Sequence, residues 1–296
     1  MLRAKKAELV QAGKPKFLIS GKSGVGKTFF SLDFPSIYFI DTEGGATREQ
    51  YRQKLIQNGG VYLGKEEGSQ DYKIVIDELK TLATTKHSYK TLIIDSFSSL
   101  YLLTAAKAEE KIGSDYGKDK KEANKPTRQL LRWLEDIDMT VVLICHSKDK
   151  WSRRGQDVVY EGTTFDGYDK MEYVLDLWIE VIKEKKSRFF VVKKSRIDNF
   201  IEGEVHTLDF SKFAELYGKD IIEKEAKPIP LASADSVERI TKLAELLNVD
   251  KETIEEWFEK AGVDKWEDMK QEYIDKCIAF LDKKLVALNP KKEEKK

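Results

Sequence analysis

At 296 residues the chain is long enough for one large domain, or for a domain with a small appendage. Lysine plus arginine (52) balances aspartate plus glutamate (52), so no global basic field advertises nucleic acid, and any basic site must be local. No run of about eighteen apolar residues is present, and Met1-Leu2-Arg3-Ala4-Lys5-Lys6 lacks the apolar stretch of a secretory signal. A cytoplasmic protein is expected, with Cys145 and Cys277 as buried free thiols rather than metal ligands.

Residues 1–14 are polar and read as a short arm or helix. Lys16–Ser20 is a short buried strand, and Phe29-Phe30-Ser31-Leu32 can continue a helix. Between them stands Gly21-Lys22-Ser23-Gly24-Val25-Gly26-Lys27-Thr28, which matches G-x-x-x-x-G-K-[ST] with strand, loop and helix in register. Glycines let a backbone wrap a phosphate closely, and the exposed N–H groups favour an anion. Lys27 is expected to reach the β- and γ-phosphates of a nucleotide, and the Thr28 hydroxyl to ligate Mg²⁺.

Ile37–Ile40 is an apolar run suited to a buried parallel strand; it delivers Asp41-Thr42-Glu43 to its carboxyl end, where open α/β sheets bind ligands. A helix is predicted over Ala46–Gln57, closed by Asn58-Gly59-Gly60, and an amphipathic stretch over Tyr72–Leu82. Thr91-Leu92-Ile93-Ile94-Asp95 is a buried strand ending in an acid, the pattern in which an aspartate holds Mg²⁺. Residues 104–127, polar, lysine-rich and interrupted by Gly113 and Gly117, predict a mobile loop. A helix follows over Arg128–Asp136, then a buried strand over Thr140–Cys145 that ends at His146.

Lys148 to Gly155 is a locally basic loop with Trp151 between its charges. Lys148, Lys150, Trp151, Arg153 and Arg154 form its candidate DNA-contacting cluster, although a solvated loop has the same composition. Leu175–Ile182 and Arg188–Val192 read as a β-hairpin at the sheet's edge, ending in Lys193-Lys194-Ser195-Arg196, and Glu204–Phe210 predicts a last strand. The pattern then turns wholly helical. The expected division is an ATPase core at 1–225, a linker at 226–234, a helical domain at 235–289 and a charged tail at 290–296. A capping box at Asp235-Ser236-Val237-Glu238 opens the first helix, Asp250 caps the second, and Gly262 stops it.

Strand–P-loop–helix, strand–Asp-Thr-Glu, strand–Asp-Ser and strand–His, in that order, resembles the RecA-type ATPase core. The resemblance implies an α/β, RecA-like P-loop core with a mostly parallel central sheet, to which the residue pattern itself adds the edge hairpin and a small all-α C-terminal domain. It makes Glu43, in Phe39-Ile40-Asp41-Thr42-Glu43-Gly44-Gly45, the base that activates water, and His146 a sensor of the γ-phosphate. Lys194-Ser195-Arg196 resembles the K-x-R pair that such subunits insert into a neighbour's nucleotide. Within the class the chain is similar to phage-encoded, RecA-like single-strand annealing ATPases over residues 10–220. That likeness rests on the P-loop, Asp41–Gly45, Ser114-Asp115-Tyr116-Gly117 and Cys145-His146-Ser147-Lys148. It implies ATP and Mg²⁺ as ligands and single-stranded DNA as partner. It also implies a homo-oligomeric ring or filament, and a single-strand binding protein as a further partner. The rival readings are a hexameric DnaB-like helicase, separable by unwinding of forked DNA, and an ATP-governed protein switch without DNA.

Overall fold

The computed structural model describes residues 13–112, 118–155 and 157–288. Ser114-Asp115-Tyr116-Gly117, most of the expected N-terminal arm and the charged tail lie outside them. Of the described residues, those from 13 to 80 and from 86 to 227 form one compact unit; those from 81 to 85 and from 228 to 288 form a second.

In chain order the first unit contains β1 (Lys16–Ser20), α1 (Lys27–Ser31), β2 (Ile37–Asp41), α2 (Glu49–Gln57), β3 (Val61–Leu63), α3 (Tyr72–Thr84, which enters the second unit) and β4 (Thr91–Asp95). It continues with α4 (Phe97–Ile112), α5 (Lys118–Asp136), β5 (Thr140–Ile144), β6 (Ser147–Arg154), β7 (Asp157–Phe165), β8 (Leu177–Glu184), β9 (Ser187–Ser195), β10 (Val205–Thr207), α6 (Phe210–Tyr217) and α7 (Lys219–Glu223). Eight strands make one sheet in the order β10-β9-β8-β1-β5-β4-β2-β3, while β6 and β7 pair separately. From β8 to β3 every pairing is parallel; β9 and β10 join antiparallel.

Strands β1, β4 and β5 are buried at every position, as continuous apolar runs in a doubly covered parallel sheet should be. One face is filled by aromatic rings. Phe17 of β1 meets Phe213 of α6 edge-on at 5.1 Å, and Phe213 meets Phe30 of α1 at 5.6 Å. Truncating a ring buried this completely costs about 3–5 kcal/mol. This packing fixes α1 on the sheet and so holds the start of the helix at the mouth of β1.

Two expectations change. The predicted loop at 104–127 is helix wherever it is described, as the end of α4 and the start of α5. Its Lys, Glu and Ala residues are good helix formers, and they outweighed the glycines as a guide. The basic segment after His146 is a β-strand, not a loop: β6 pairs with β7 from Ser147↔Phe165 to Arg154↔Asp157. The β8–β9 hairpin stands at the sheet's edge as expected, and the expected last strand is β10, which pairs with β9 at Phe189–Val191.

The second unit contains α8 (Ala234–Leu246), α9 (Lys251–Ala261) and α10 (Gln271–Leu288). Ser233, not Asp235, caps α8, its side chain accepting from the Ser236 backbone N–H; Asp250 caps α9 through Thr253, and left-handed Gly262 ends it. Among the described residues no helix is long and apolar enough to cross a membrane. Cys145 is buried and Cys277 partly so, both as free thiols.

Candidate active site

The P-loop joins β1 to α1 at the carboxyl end of the sheet. β1 lies between β5 and β8, where the chain's connections diverge and a crevice opens. Two glycines are sterically required. A Cβ on Gly21 would stand 2.6 Å from the Val181 carbonyl oxygen; one on Gly26, at φ 107°, would stand 3.0 Å from the Arg188 side chain. Lys27 is buried, its Nζ donating to the carbonyls of Gly21 (2.7 Å) and Lys22 (3.0 Å). Burial holds its pKa below the usual lysine range, against the pull of Asp95 and Glu43.

Thr28 Oγ1 donates to Asp95 Oδ2 at 2.5 Å. Burial pushes Asp95 up to about 6, and the negative neighbours Glu43 and Asp41 add to this, against the Thr28 bond and Lys27. A hydroxyl and a buried carboxylate form the hard-oxygen pair that Mg²⁺ takes beside phosphates, and a cation there would offset the burial that disfavours the charged carboxylate, so these residues fit the ion the motif implies.

Glu43 sits two residues beyond the end of β2. Its Oε1 accepts from Ser96 Oγ (2.6 Å) and Ser99 Oγ (2.9 Å) and lies 2.8 Å from His146 Nε2. Burial works to raise its pKa, but those three partners outweigh it and keep the carboxyl below its usual range, hence ionised at neutral pH. Asp41 serves the backbone. Its Oδ1 accepts from the backbone N–H groups of Glu43, Gly44 and Gly45, and its Oδ2 from Ala46, so it shapes the turn after β2. Thr42 then ties β2 to β4: its hydroxyl donates to the Ser96 carbonyl and accepts from the Ser96 N–H. The chain thus brings Lys27, Thr28, Asp95, Glu43 and His146 to one cleft of about 800 Å³.

A family model described as an AAA domain matches residues 13–220, more than half of the chain. The chain belongs to that family. No curated protein matches it. Among solved structures, the RadB recombinase is similar at 17% identity and TM-score 0.41, over 66% of this chain and 86% of that one. A prototypical ATPase from the type III secretion system of pathogenic bacteria is similar at 10% identity and TM-score 0.35, over 89% and 80%. Neither likeness is strong enough to bear on function. The family and the strand order, with β5 separating the P-loop strand β1 from the Asp95 strand β4, make this AAA domain a RecA-like P-loop ATPase core.

The remaining predicted residues fall outside the cleft. In the AAA domain, Lys194 Nζ donates to the carbonyls of Glu172 and Leu175, and Arg196 donates to that of Tyr173 at 2.6 Å, so both cations hold a segment of their own chain. Lys148, Lys150, Trp151 and Arg153 lie on the β6–β7 hairpin. Lys148 is 3.1 Å from Asp166 and Lys150 3.9 Å from Glu161. Arg154 ends β6, and its side chain is outside the described residues.

Sequence reasoning missed the hairpin's second strand and its foot. Trp151 pairs across with Tyr160, rings 5.1 Å apart, and Arg153 with Val158. At the foot, Glu180 accepts from Ser147 Oγ (3.2 Å) and Thr163 Oγ1 (2.6 Å) and pairs with Lys193 at 3.3 Å. It also missed Arg188, whose place at the start of a hairpin strand gave no signal of the P-loop it touches.

Proposed function

We propose that this P-loop ATPase uses Mg²⁺-ATP to act on single-stranded DNA in phage homologous recombination, annealing strands gripped by the β6–β7 hairpin. One observation carries the DNA reading. Alternation puts Trp151 and Arg153 on one face of the ribbon with their cross-strand partners Tyr160 and Val158. Trp151 (58%), Tyr160 (51%) and Val158 (61%) are solvent-exposed there, and Arg153 is exposed too. Aromatic rings beside a cation suit unpaired bases, each stacked base contributing on the order of 1–3 kcal/mol.

In the hydrolytic step the loop N–H groups and Lys27 bind the phosphates. Thr28 and Asp95 would hold Mg²⁺, which neutralises phosphate charge when bound. Glu43 leaves its serine and histidine partners, orients a water and accepts its proton at Oε1 while the water oxygen attacks the γ-phosphorus; the bond to the β–γ bridging oxygen breaks, ADP leaves with that oxygen, and inorganic phosphate is formed. Losing Glu43 frees His146, which immediately precedes β6, so phosphate state reaches the hairpin through its foot. Lys194 and Arg196 complete a neighbour's site in a homo-oligomeric ring or filament, exchanging their own-chain carbonyls for the γ-phosphate. A single-strand binding protein in the host cytoplasm is a further partner. The phage setting rests on the sequence resemblance.

Fluorescence anisotropy with labelled single strands tests this. Trp151→Ala/Tyr160→Ala is expected to lower affinity by about tenfold or more. Lys150→Ala/Arg153→Ala is expected to flatten the salt dependence, since each phosphate contact adds to that slope. Wild-type affinity and slope in both would remove the hairpin from DNA binding.

A further inference from the structure

We infer that Arg188, with Leu208 and Phe210, forms the nucleoside end of the cleft, so that one side chain both braces the phosphate loop and stacks on the bound base. This rests on the P-loop ATPase reading and on no DNA contact.

The cleft holds more than phosphate chemistry. Besides Lys27, Thr28, Asp95 and Glu43, its lining includes Phe29, Arg188, Leu208 and Phe210, with no lysine among the latter four. Leu208 N–H donates to the Arg188 carbonyl at 3.0 Å, so the two residues are fixed side by side although twenty positions apart. Both touch the loop at one point. From the place where a Gly26 Cβ would stand, Arg188 Cδ and Nε are 3.0 Å away and Leu208 Cδ2 is 3.8 Å away. Phe210 is anchored from behind, its ring 4.8 Å from that of Phe34.

Arg188 Nε donates to the Val25 carbonyl at 3.1 Å. That uses one of the guanidinium's five N–H donors. Among the described residues its other donors have no protein acceptor and no carboxylate pairs with it. A planar cation held by one edge, exposed, and lining the cleft together with Leu208 and Phe210 matches a flat heteroaromatic ring. The phosphates already have Lys27, the loop N–H groups and the Thr28–Asp95 pair. A bound base therefore presses on the residue that braces Val25, which links nucleoside recognition to the shape of the P-loop. Lysine in place of Arg188 would keep a donor for Val25 but lose the plane.

The experiment compares ATP with inorganic tripolyphosphate, which carries the phosphate chain and no nucleoside, on wild type, Arg188→Ala and Arg188→Lys. In both variants ATP affinity is expected to fall about tenfold, in line with a stacked cation; Arg188→Lys, which keeps a donor for Val25, should hold tripolyphosphate at the wild-type affinity, and Arg188→Ala, which also loses the brace, should weaken tripolyphosphate less than ATP. KM for ATP should rise with kcat kept. Retained tripolyphosphate binding also reports an intact fold. Equal weakening of both ligands would reduce Arg188 to a loop brace, and unchanged ATP affinity, or a fall in kcat at constant KM, would equally overturn the assignment. Wild-type protein that binds neither ligand would instead count against the P-loop reading.

Discussion

The nucleotide cleft and the β6–β7 hairpin use charge in opposite ways. In the cleft a few charges sit out of water. Burial pushes Asp95 up to about 6 and Lys27 down, and every carboxylate oxygen of Asp41 is taken up by backbone N–H groups. On the hairpin the charges are solvated and the rings exposed, with Trp151 58% accessible. Loss of one buried group should therefore cost orders of magnitude, whereas each solvated contact is worth little and several must act together. The two regions meet at His146, 2.8 Å from Glu43 and next in sequence to β6.

The largest expected effect tests whether the cleft is complete within one chain. Fingers supplied in trans contribute about 10³–10⁵ in rate. A Lys194→Ala/Arg196→Ala protein and a Lys27→Ala protein should each be nearly inactive, and a mixture should regain ATPase activity at mixed interfaces. No recovery in mixtures shown to co-assemble would confine both cations to the carbonyls of 172–175. Next comes Glu43→Gln, which should bind ATP normally but hydrolyse it about 10²–10⁴-fold more slowly, because the amide cannot take a proton. Wild-type turnover there would place the base elsewhere.

A smaller effect separates stability from activity. The Asp95 carboxyl titrates at about 6 in the fold, against an ordinary value of 3.8. The stabilisation of its protonated form is full below that ordinary value and lost as pH rises through about 6. Without nucleotide, Asp95→Asn should be more stable than wild type by roughly 3 kcal/mol at pH 8, with the gap closing towards pH 4, while Mg²⁺-dependent hydrolysis is lost. Denaturant unfolding at the two pH values checks it. A variant less stable than wild type at pH 8 would mean that Asp95 is not strained by burial.

The same contrast explains what was legible in the sequence. Lys16–Ser20, Thr91–Asp95 and Thr140–Ile144 are buried on both faces, so their apolar runs announce strands, and the P-loop motif fixes the cleft between them. The hairpin has no buried face over most of its length. Positions such as Lys148, Asp149 and Lys150 then carry no alternation, and the segment reads as a loop. Three-residue β3 is too short to show a period. Arg188 and Glu180 act through contacts made only after distant strands pair. Ser233 lost to Asp235 as the expected cap because both suit the position and only the backbone decides between them.

Steady-state ATP hydrolysis, with and without single-stranded DNA, tests the link between the two regions most directly when run on wild type and on Trp151→Ala/Tyr160→Ala. Wild type should be stimulated several-fold by single strands, and the variant should keep the DNA-free rate but lose most of the stimulation. A wild-type rate indifferent to DNA would contradict the coupling through His146 and favour an ATP-governed protein switch.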